Sequence, residues 1–329
     1  EQLPATLPSR HEASGALTPR QQLRRRAADA LTAQGLHEIV GWSFTGPTVT
    51  ERLRIGDVAA VELANPMSSD QSLLRTTLLG SLLGVAALNR SRGAAAVRLF
   101  ESGPVYLPQE GEPMPREPHH LGAVLMGAVR PPTWREREPR DADFYAAKGV
   151  LAGLLDTIRA PWAVARAESP EPFLHPGRSA QILIDGEPAG WLAEIHPLVA
   201  AAWELPDTVA GFELDLDLVA LHAAETQRYE DLTSFPAVRE DLAVVVDDRV
   251  TADQVLATVR RAGEPLLDAV EVFDVYRDPE RIGAGKASLA LRLTYRAPDR
   301  TLSDEDVAPP RRAIALALSD ELDGRVRDA

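Results

Sequence analysis

Residues 235–329 carry strand and helix signals in an order that few folds accept. Leu242 to Val246 is a short apolar run of strand length. Thr251-Ala252-Asp253-Gln254 is a capping box, in which the Thr and Gln side chains each satisfy a backbone N–H that the first helical turn leaves free. Val255, Leu256 and Val259 follow until Gly263 stops the helix. Val270 to Tyr276 predicts a second strand, and a loop from Arg277 to Ala287 leads to a third, where Leu289, Leu291, Leu293 and Tyr295 alternate with small or polar residues. Ser303 caps a second helix containing Ile314 and Leu318, and Gly324 precedes a last short strand. The order is β-α-β-β-α-β, the split arrangement of ferredoxin-like domains. Pro309-Pro310 predicts a break in the second helix with a restart at Pro310, because neither has an N–H and each disfavours helix before it.

With 329 residues, 45% of them hydrophobic, the chain has material for two domains. Upstream, Thr18-Pro19 opens a helix with Leu23, Ala27 and Leu31 at four-residue spacing, ended by Gly35. Arg20 and Arg24 to Arg26 lie around the rest of it, as a solvated face or a partner or RNA contact. Leu36 to Phe44 and Val58 to Leu63 predict strands. Ser69 or Asp70 is placed to cap a helix running through Leu74, Leu78, Leu82, Val85 and Asn89 to Gly93. Val97 to Tyr106 and Leu121 to Val129 predict strands, and Phe144 to Arg159 a helix. Ser179 to Ile195 predicts a hairpin around Asp185-Gly186. Residues 108–118 and 130–140 are Pro-rich loops, the second carrying Trp134. Elements mix without the regular alternation of a parallel sheet, so an antiparallel α+β domain precedes the ferredoxin-like one. The boundaries expected are a linker over 1–17, a core domain over 18–222, a linker over 223–234 and the last domain over 235–329.

Composition narrows the chemistry. Zero cysteines remove disulfides, thiolate nucleophiles and Cys-based zinc sites, and fit a reducing cytoplasm. No run approaches the ~20 apolar residues of a membrane span, and no leader-like start is present, so a soluble chain with no membrane partner is expected. The opening without Met, on a Pro-punctuated stretch, reads as a piece cut from a longer polypeptide. No phosphate-cradling glycine loop and no serine-hydrolase elbow occurs; Gly283-Ala284-Gly285-Lys286 is too short for one and reads as a tight turn, with an RNA-phosphate contact as the alternative. His175 and His196 each sit beside a proline without a second ligand at metal spacing, and adjacent His119-His120 read as surface residues, so no metal site is expected. A net charge of −14 opposes non-specific nucleic-acid binding, which leaves room only for a local site.

Several local sequences carry a family likeness. These are Ser234-Phe235-Pro236-Ala237-Val238-Arg239-Glu240-Asp241-Leu242, Phe273-Asp274-Val275-Tyr276, Gly285-Lys286-Ala287-Ser288-Leu289 and Arg300-Thr301-Leu302-Ser303-Asp304-Glu305. In this order they resemble the anticodon-binding domain that ends bacterial phenylalanine–tRNA ligase beta subunits, with the first motif's Arg displaced by one. Leu63-Ala64-Asn65-Pro66-Met67-Ser68, Leu74-Arg75-Thr76-Thr77-Leu78, Leu99-Phe100-Glu101-Ser102-Gly103, His175-Pro176-Gly177-Arg178 and Gly190-Trp191-Leu192-Ala193-Glu194-Ile195-His196-Pro197 resemble the same family's copy of a class II synthetase core. The family's N-terminal portion, with its editing pocket and magnesium ligands, is expected to be absent from this chain.

The resemblance implies pairing with a catalytic alpha subunit in a heterotetramer of two alpha and two beta chains, binding of tRNA-Phe, and no DNA partner. It implies ATP and Mg²⁺ for the holoenzyme and none held by this part. The core itself is expected to be non-catalytic. Gly211-Phe212-Glu213-Leu214-Asp215-Leu216-Asp217-Leu218 has no Arg where active cores end a strand in Glu-Arg, and its alternation predicts a strand with three outward carboxylates that would repel ATP. For RNA, Arg292, Arg296, Arg325, Arg327 and Lys286 are candidate phosphate contacts and Phe273 and Tyr276 candidate stacking faces. The same side chains serve as core and ion pairs if the aromatics turn inward and the arginines meet nearby acids. A free-standing enzyme with a ferredoxin-like regulatory module is the alternative, and it lacks an assembled acid–base or nucleophile site.

Overall fold

The computed structural model describes residues 15–327 except 57, 168–169, 207, 225, 227–228 and 230–234. Most of both expected linkers therefore lies outside the described residues. The chain forms two compact units, residues 1–227 and 228–329.

The first unit begins with α1 (Pro19–Ala33), started by a Thr18–Gln21 capping box, then β1 (His37–Ile39), β2 (Phe44–Thr45), α2 (Pro47–Arg52), β3 (Leu73–Leu74), α3 (Leu79–Ser91), β4 (Val97–Pro104) and β5 (His119–Met126). It continues with α4 (Phe144–Ile158), β6 (Trp162–Arg166), β7 (Leu174–Ile184), β8 (Glu187–Ile195), α5 (Pro197–Ala202), β9 (Val209–Asp215) and α6 (Leu216–His222). Seven strands form one sheet in the order β1-β4-β5-β9-β8-β7-β6, antiparallel except for the β1–β4 pair. Alternation along β5 feeds both faces: Leu121, Ala123 and Leu125 join the cluster containing α1 and α4, while Val124 and Met126 join the one containing α3 and α5. Both faces are thus covered, which explains why the central strands read as continuous apolar runs.

The second unit contains β10 (Val238–Asp247), α7 (Ala252–Gly263), β11 (Leu267–Tyr276), α8 (Pro279–Ile282), β12 (Lys286–Tyr295), α9 (Asp304–Leu322) and β13 (Arg325–Arg327). Its four strands form an antiparallel sheet in the order β11-β12-β10-β13. Leu242, Val244, Val246, Leu289, Leu291, Leu293 and Tyr295 pack with Val255, Val259, Val307, Ile314 and Leu318 of the two long helices, so one sheet face is core and neither long helix lies on the other.

Several sequence expectations change. The Leu36–Phe44 run is split into β1 and β2, because Gly41 N donates to the Glu101 carboxylate at 3.2 Å and the Trp42 carbonyl accepts from Arg75. Val58–Leu63 makes only an isolated bridge, Glu62 to Leu73. Ser69–Gln71 is a single 3₁₀ turn, and the helix starts at Leu79 rather than before Leu74, since Leu78 N is held by the remote Glu213 carboxylate. The expected strand through Leu218 ends at Asp215, whose Oδ1 accepts from Asp217 N and Leu218 N and so caps α6. Asp217 is on that helix, and Glu213 is 3% exposed rather than outward. No break occurs at Pro309-Pro310: α9 runs through both. The carbonyls they leave unbonded belong to Glu305 and Asp306 in the solvent-side first turns, while buried Val307, Ile314 and Leu318 hold the helix on the sheet.

Candidate nucleic-acid interface

Strand register places the candidate residues. Tyr276 pairs with Ser288, Ser288 with Val245 and Val245 with Arg325, so these four lie in one row across the sheet. The next row is Asp274, Ala290, Ala243 and Arg327, and the following one is Glu271, Arg292 and Asp241. Directly opposed residues share a face, and these rows alternate with the buried leucine rows, so they stand on the side away from the two long helices. Three strand spacings separate the first row's ends, roughly 14 Å. The middle of the second row is Ala243 and Ala290, both half-buried, while Val245 and Ser288 in the middle of the first row are buried. This face therefore has an aromatic margin at β11 and an arginine margin at β13, with Lys286 opposite Asp247 beyond the first row.

Phe273 occupies a register irregularity between Val272 and Asp274 and is 47% exposed; the Arg292 guanidinium carbon lies 4.7 Å from its ring centroid. Arg292 is held there by two hydrogen bonds to Asp241, at 2.9 and 3.0 Å, which lower the Asp241 pKa. Tyr276 is 37% exposed and donates its hydroxyl to Asp278 at 2.7 Å. Neither aromatic turns inward. Arg296 lies outside this face, just past β12, with Nε 3.2 Å from Asp268 Oδ2 but off-line for a hydrogen bond. The ion-pair reading thus describes Arg292 and Arg296, whereas Lys286, Arg325 and Arg327 have no carboxylate at ion-pair distance among the described residues. Sequence reasoning passed over Arg312, which lines a groove with Arg311 and Arg327 between α9 and β13. Its signal was there, since Arg311-Arg312 precedes the buried Ile314 on a solvated helix face.

From Leu232 to Ala329 fourteen basic residues face nineteen acidic ones, a net charge of −5. Any anion must therefore be met by the unpaired cations individually rather than by a positive field.

Among the described residues the core unit holds three buried carboxylates. Glu101 meets Arg75 and the Ser81 hydroxyl in addition to Gly41 N, and Arg75 Nε donates to Pro104 O at 3.0 Å. Glu213 accepts from the Thr77 hydroxyl at 2.6 Å and Leu78 N at 3.1 Å, and pairs with His120 Nδ1 at 2.7 Å. Glu194 meets Arg178 Nε at 2.6 Å. His119 is half-buried, with Nε2 2.9 Å from Ser102 Oγ; burial first, then the Arg24 charge, pushes its pKa down to about 4. His119 and His120 are thus parts of buried networks and not surface residues. Arg24 pairs with Asp217 and Arg26 donates to Thr157 O, so that helix face is less free than its charges suggested. His175 and His196 accept backbone N–H groups through Nδ1, His196 as the cap of α5. No group of three or more His, Asp or Glu suited to a metal occurs among the described residues. β9 has no arginine, Arg75 and Arg178 pair with Glu101 and Glu194, and a buried Glu213 faces the start of α3.

Two family models match the chain, "Phenylalanyl tRNA synthetase beta chain CLM domain" over residues 3–216 and "Ferredoxin-fold anticodon binding domain" over residues 233–327. The chain belongs to the phenylalanine–tRNA ligase beta-subunit family. The beta subunit of Geobacillus kaustophilus is 37% identical over 327 residues, covering 99% of this chain and 40% of the relative. That of Symbiobacterium thermophilum is 40% identical over 321 residues, covering 96% and 36%. The chain thus spans about 40% of the length of these beta subunits. A pyrrolysyl tRNA synthetase from Desulfitobacterium hafniense aligns with 61% of this chain and 67% of its own at 15% identity and a TM-score of 0.46, too loose to add to the family assignment. No helix among the described residues is long and apolar enough to cross a membrane.

Proposed function

We propose that this chain is the part of a phenylalanine–tRNA ligase beta subunit that holds the anticodon stem-loop of tRNA-Phe and pairs with the catalytic alpha subunit, without performing adenylation itself. The observation that carries this is the sheet face away from the two long helices, with Phe273 and Tyr276 on one margin and, on the other, Arg325 and Arg327, which have no ion-pair partner among the described residues. Unpaired anticodon bases stack on the aromatic margin while backbone phosphates meet Arg325, Arg327 and Lys286. Arg292 stiffens Phe273 from beside it, and Arg296 acts from outside the face.

Pairing is supported by an apolar surface on the core unit. Val40 and Trp42, 94% and 73% exposed, line a groove with Phe44, Val49 and Leu88. The alpha subunit covers this groove in a cytoplasmic heterotetramer of two alpha and two beta subunits, and supplies the ATP and Mg²⁺ chemistry of aminoacylation. The absence of an arginine from β9 weighs against a free-standing enzyme.

Co-expression with the alpha subunit tests this. The two chains are expected to co-purify in equal amounts, and Trp42→Ser with Val40→Asp is expected to separate them. Phenylalanine-dependent pyrophosphate exchange by this chain alone would overturn the non-catalytic assignment.

A further inference from the structure

The segment between β5 and α4 has no part in the site above. Gly127 turns the chain out of β5 at φ 72°, where a Cβ would stand 2.2 Å from the Ala95 carbonyl oxygen, so the turn requires glycine. The two ends are then joined. Val129 N donates to Arg140 O and Ala142 N to Gly127 O, both at 2.8 Å. At the tip Thr133 N donates to Glu136 O at 2.8 Å, and Glu136 N returns a bond to Thr133 Oγ1 at 3.1 Å. Pro131, Pro132 and Pro139 further limit its backbone.

This ordered tip presents Trp134, 81% exposed, with the Arg135 guanidinium carbon 4.8 Å from its ring centroid. One ring face is taken and the other is open. Arg130, Arg137 and Arg140 are exposed around it. None of the four arginines has a carboxylate at ion-pair distance among the described residues, although Glu136 and Glu138 lie between them and the whole chain is acidic at −14. A protein-docking Trp gains most when neighbouring apolar groups exclude water around it. Here the neighbours are prolines and charges. A single stacked base needs only the open ring face, and its flanking phosphates need the cations.

We propose that this loop is a second RNA contact, made by the core unit independently of the ferredoxin-like sheet. Trp134 stacks on an unpaired base through its open face, and Arg130, Arg137 and Arg140 hold the adjoining phosphates. The proposal rests on the tRNA-binding function above and adds a site to it.

The test uses the whole chain and a tRNA-Phe transcript, with binding followed by anisotropy at several KCl concentrations. Trp134→Ala is expected to weaken binding at least about fivefold. Arg137→Gln with Arg140→Gln is expected to lower the slope of log affinity against log salt by about 1 to 2. In the parent chain tRNA quenches indole emission, and Trp134→Phe removes that quench. Parental affinity, slope and quench in these variants would overturn the proposal. So would unchanged RNA binding together with a weakened alpha-subunit complex, which would make the loop a protein contact. If Arg325→Gln with Arg327→Gln leaves binding unchanged while Trp134→Ala weakens it, the sheet-face reading falls and the loop contact stands.

Discussion

Replacing Arg75 by Met should destabilise the core unit more than almost any other single change in it. Arg75 is 6% exposed and Glu101 2%, and the guanidinium also serves the carbonyls of Pro104 and Trp42. Without it, Glu101 keeps only Gly41 N and the Ser81 hydroxyl while remaining buried. Breaking a buried pair from one side costs about 3–5 kcal/mol, because a charge stays desolvated without its counterion. For a unit of this size about 2–4 °C of Tm accompany each kcal/mol, so a fall of roughly 6–20 °C is expected. Arg75→Met with Glu101→Leu removes both charges and should be clearly more stable than Arg75→Met alone. Tryptophan emission is a selective probe, since all five tryptophans, Trp42, Trp134, Trp162, Trp191 and Trp203, belong to this unit. A single variant within about 1 kcal/mol of the parent, or a double variant whose loss equals the sum of the two singles, would refute the reasoning.

Two further outcomes follow from single groups. His119 has a pKa near 4 in the folded chain against 6.5 ordinarily, so the unfolded state binds more protons between those values and stability falls as pH drops from 6.5 towards 4. His119→Gln should flatten that part of a stability–pH curve, and an unchanged curve would count against the burial. Tyr295 is fully buried with no partner for its hydroxyl among the described residues, and burial raises its pKa to about 12. Tyr295→Phe should leave the ferredoxin-like unit as stable or more stable by up to about 1–2 kcal/mol in urea unfolding, and a clear loss would reveal a hydrogen bond at that oxygen.

What the sequence made legible was local. The alternation of Leu289 to Tyr295 and the Thr251–Gln254 capping box are set by neighbours two or three residues apart, and both stand as read. The Pro309-Pro310 break was misread because a local rule was applied to a helix held by burial of Val307, Ile314 and Leu318. The networks around Glu101 and Glu213 were illegible for a different reason. Glu213 meets Thr77 across 136 positions and His120 across 93, distances at which no spacing signal exists. Without those partners, Glu213 looked like one of three solvated acids and His120 like a surface histidine. At the candidate face, residue types named the arginines, but only the folded positions separate Arg325 and Arg327 from the acid-bound Arg292 and Arg296.

The central claim is that the sheet face away from the two long helices holds tRNA through its arginine margin. The most direct measurement is the affinity of the whole chain for a tRNA-Phe transcript with Arg325 and Arg327 both changed to Gln. The account predicts weaker binding by about tenfold or more at low salt, with the salt slope lowered by roughly 1 to 2. Binding equal to the parent at every salt concentration would contradict it.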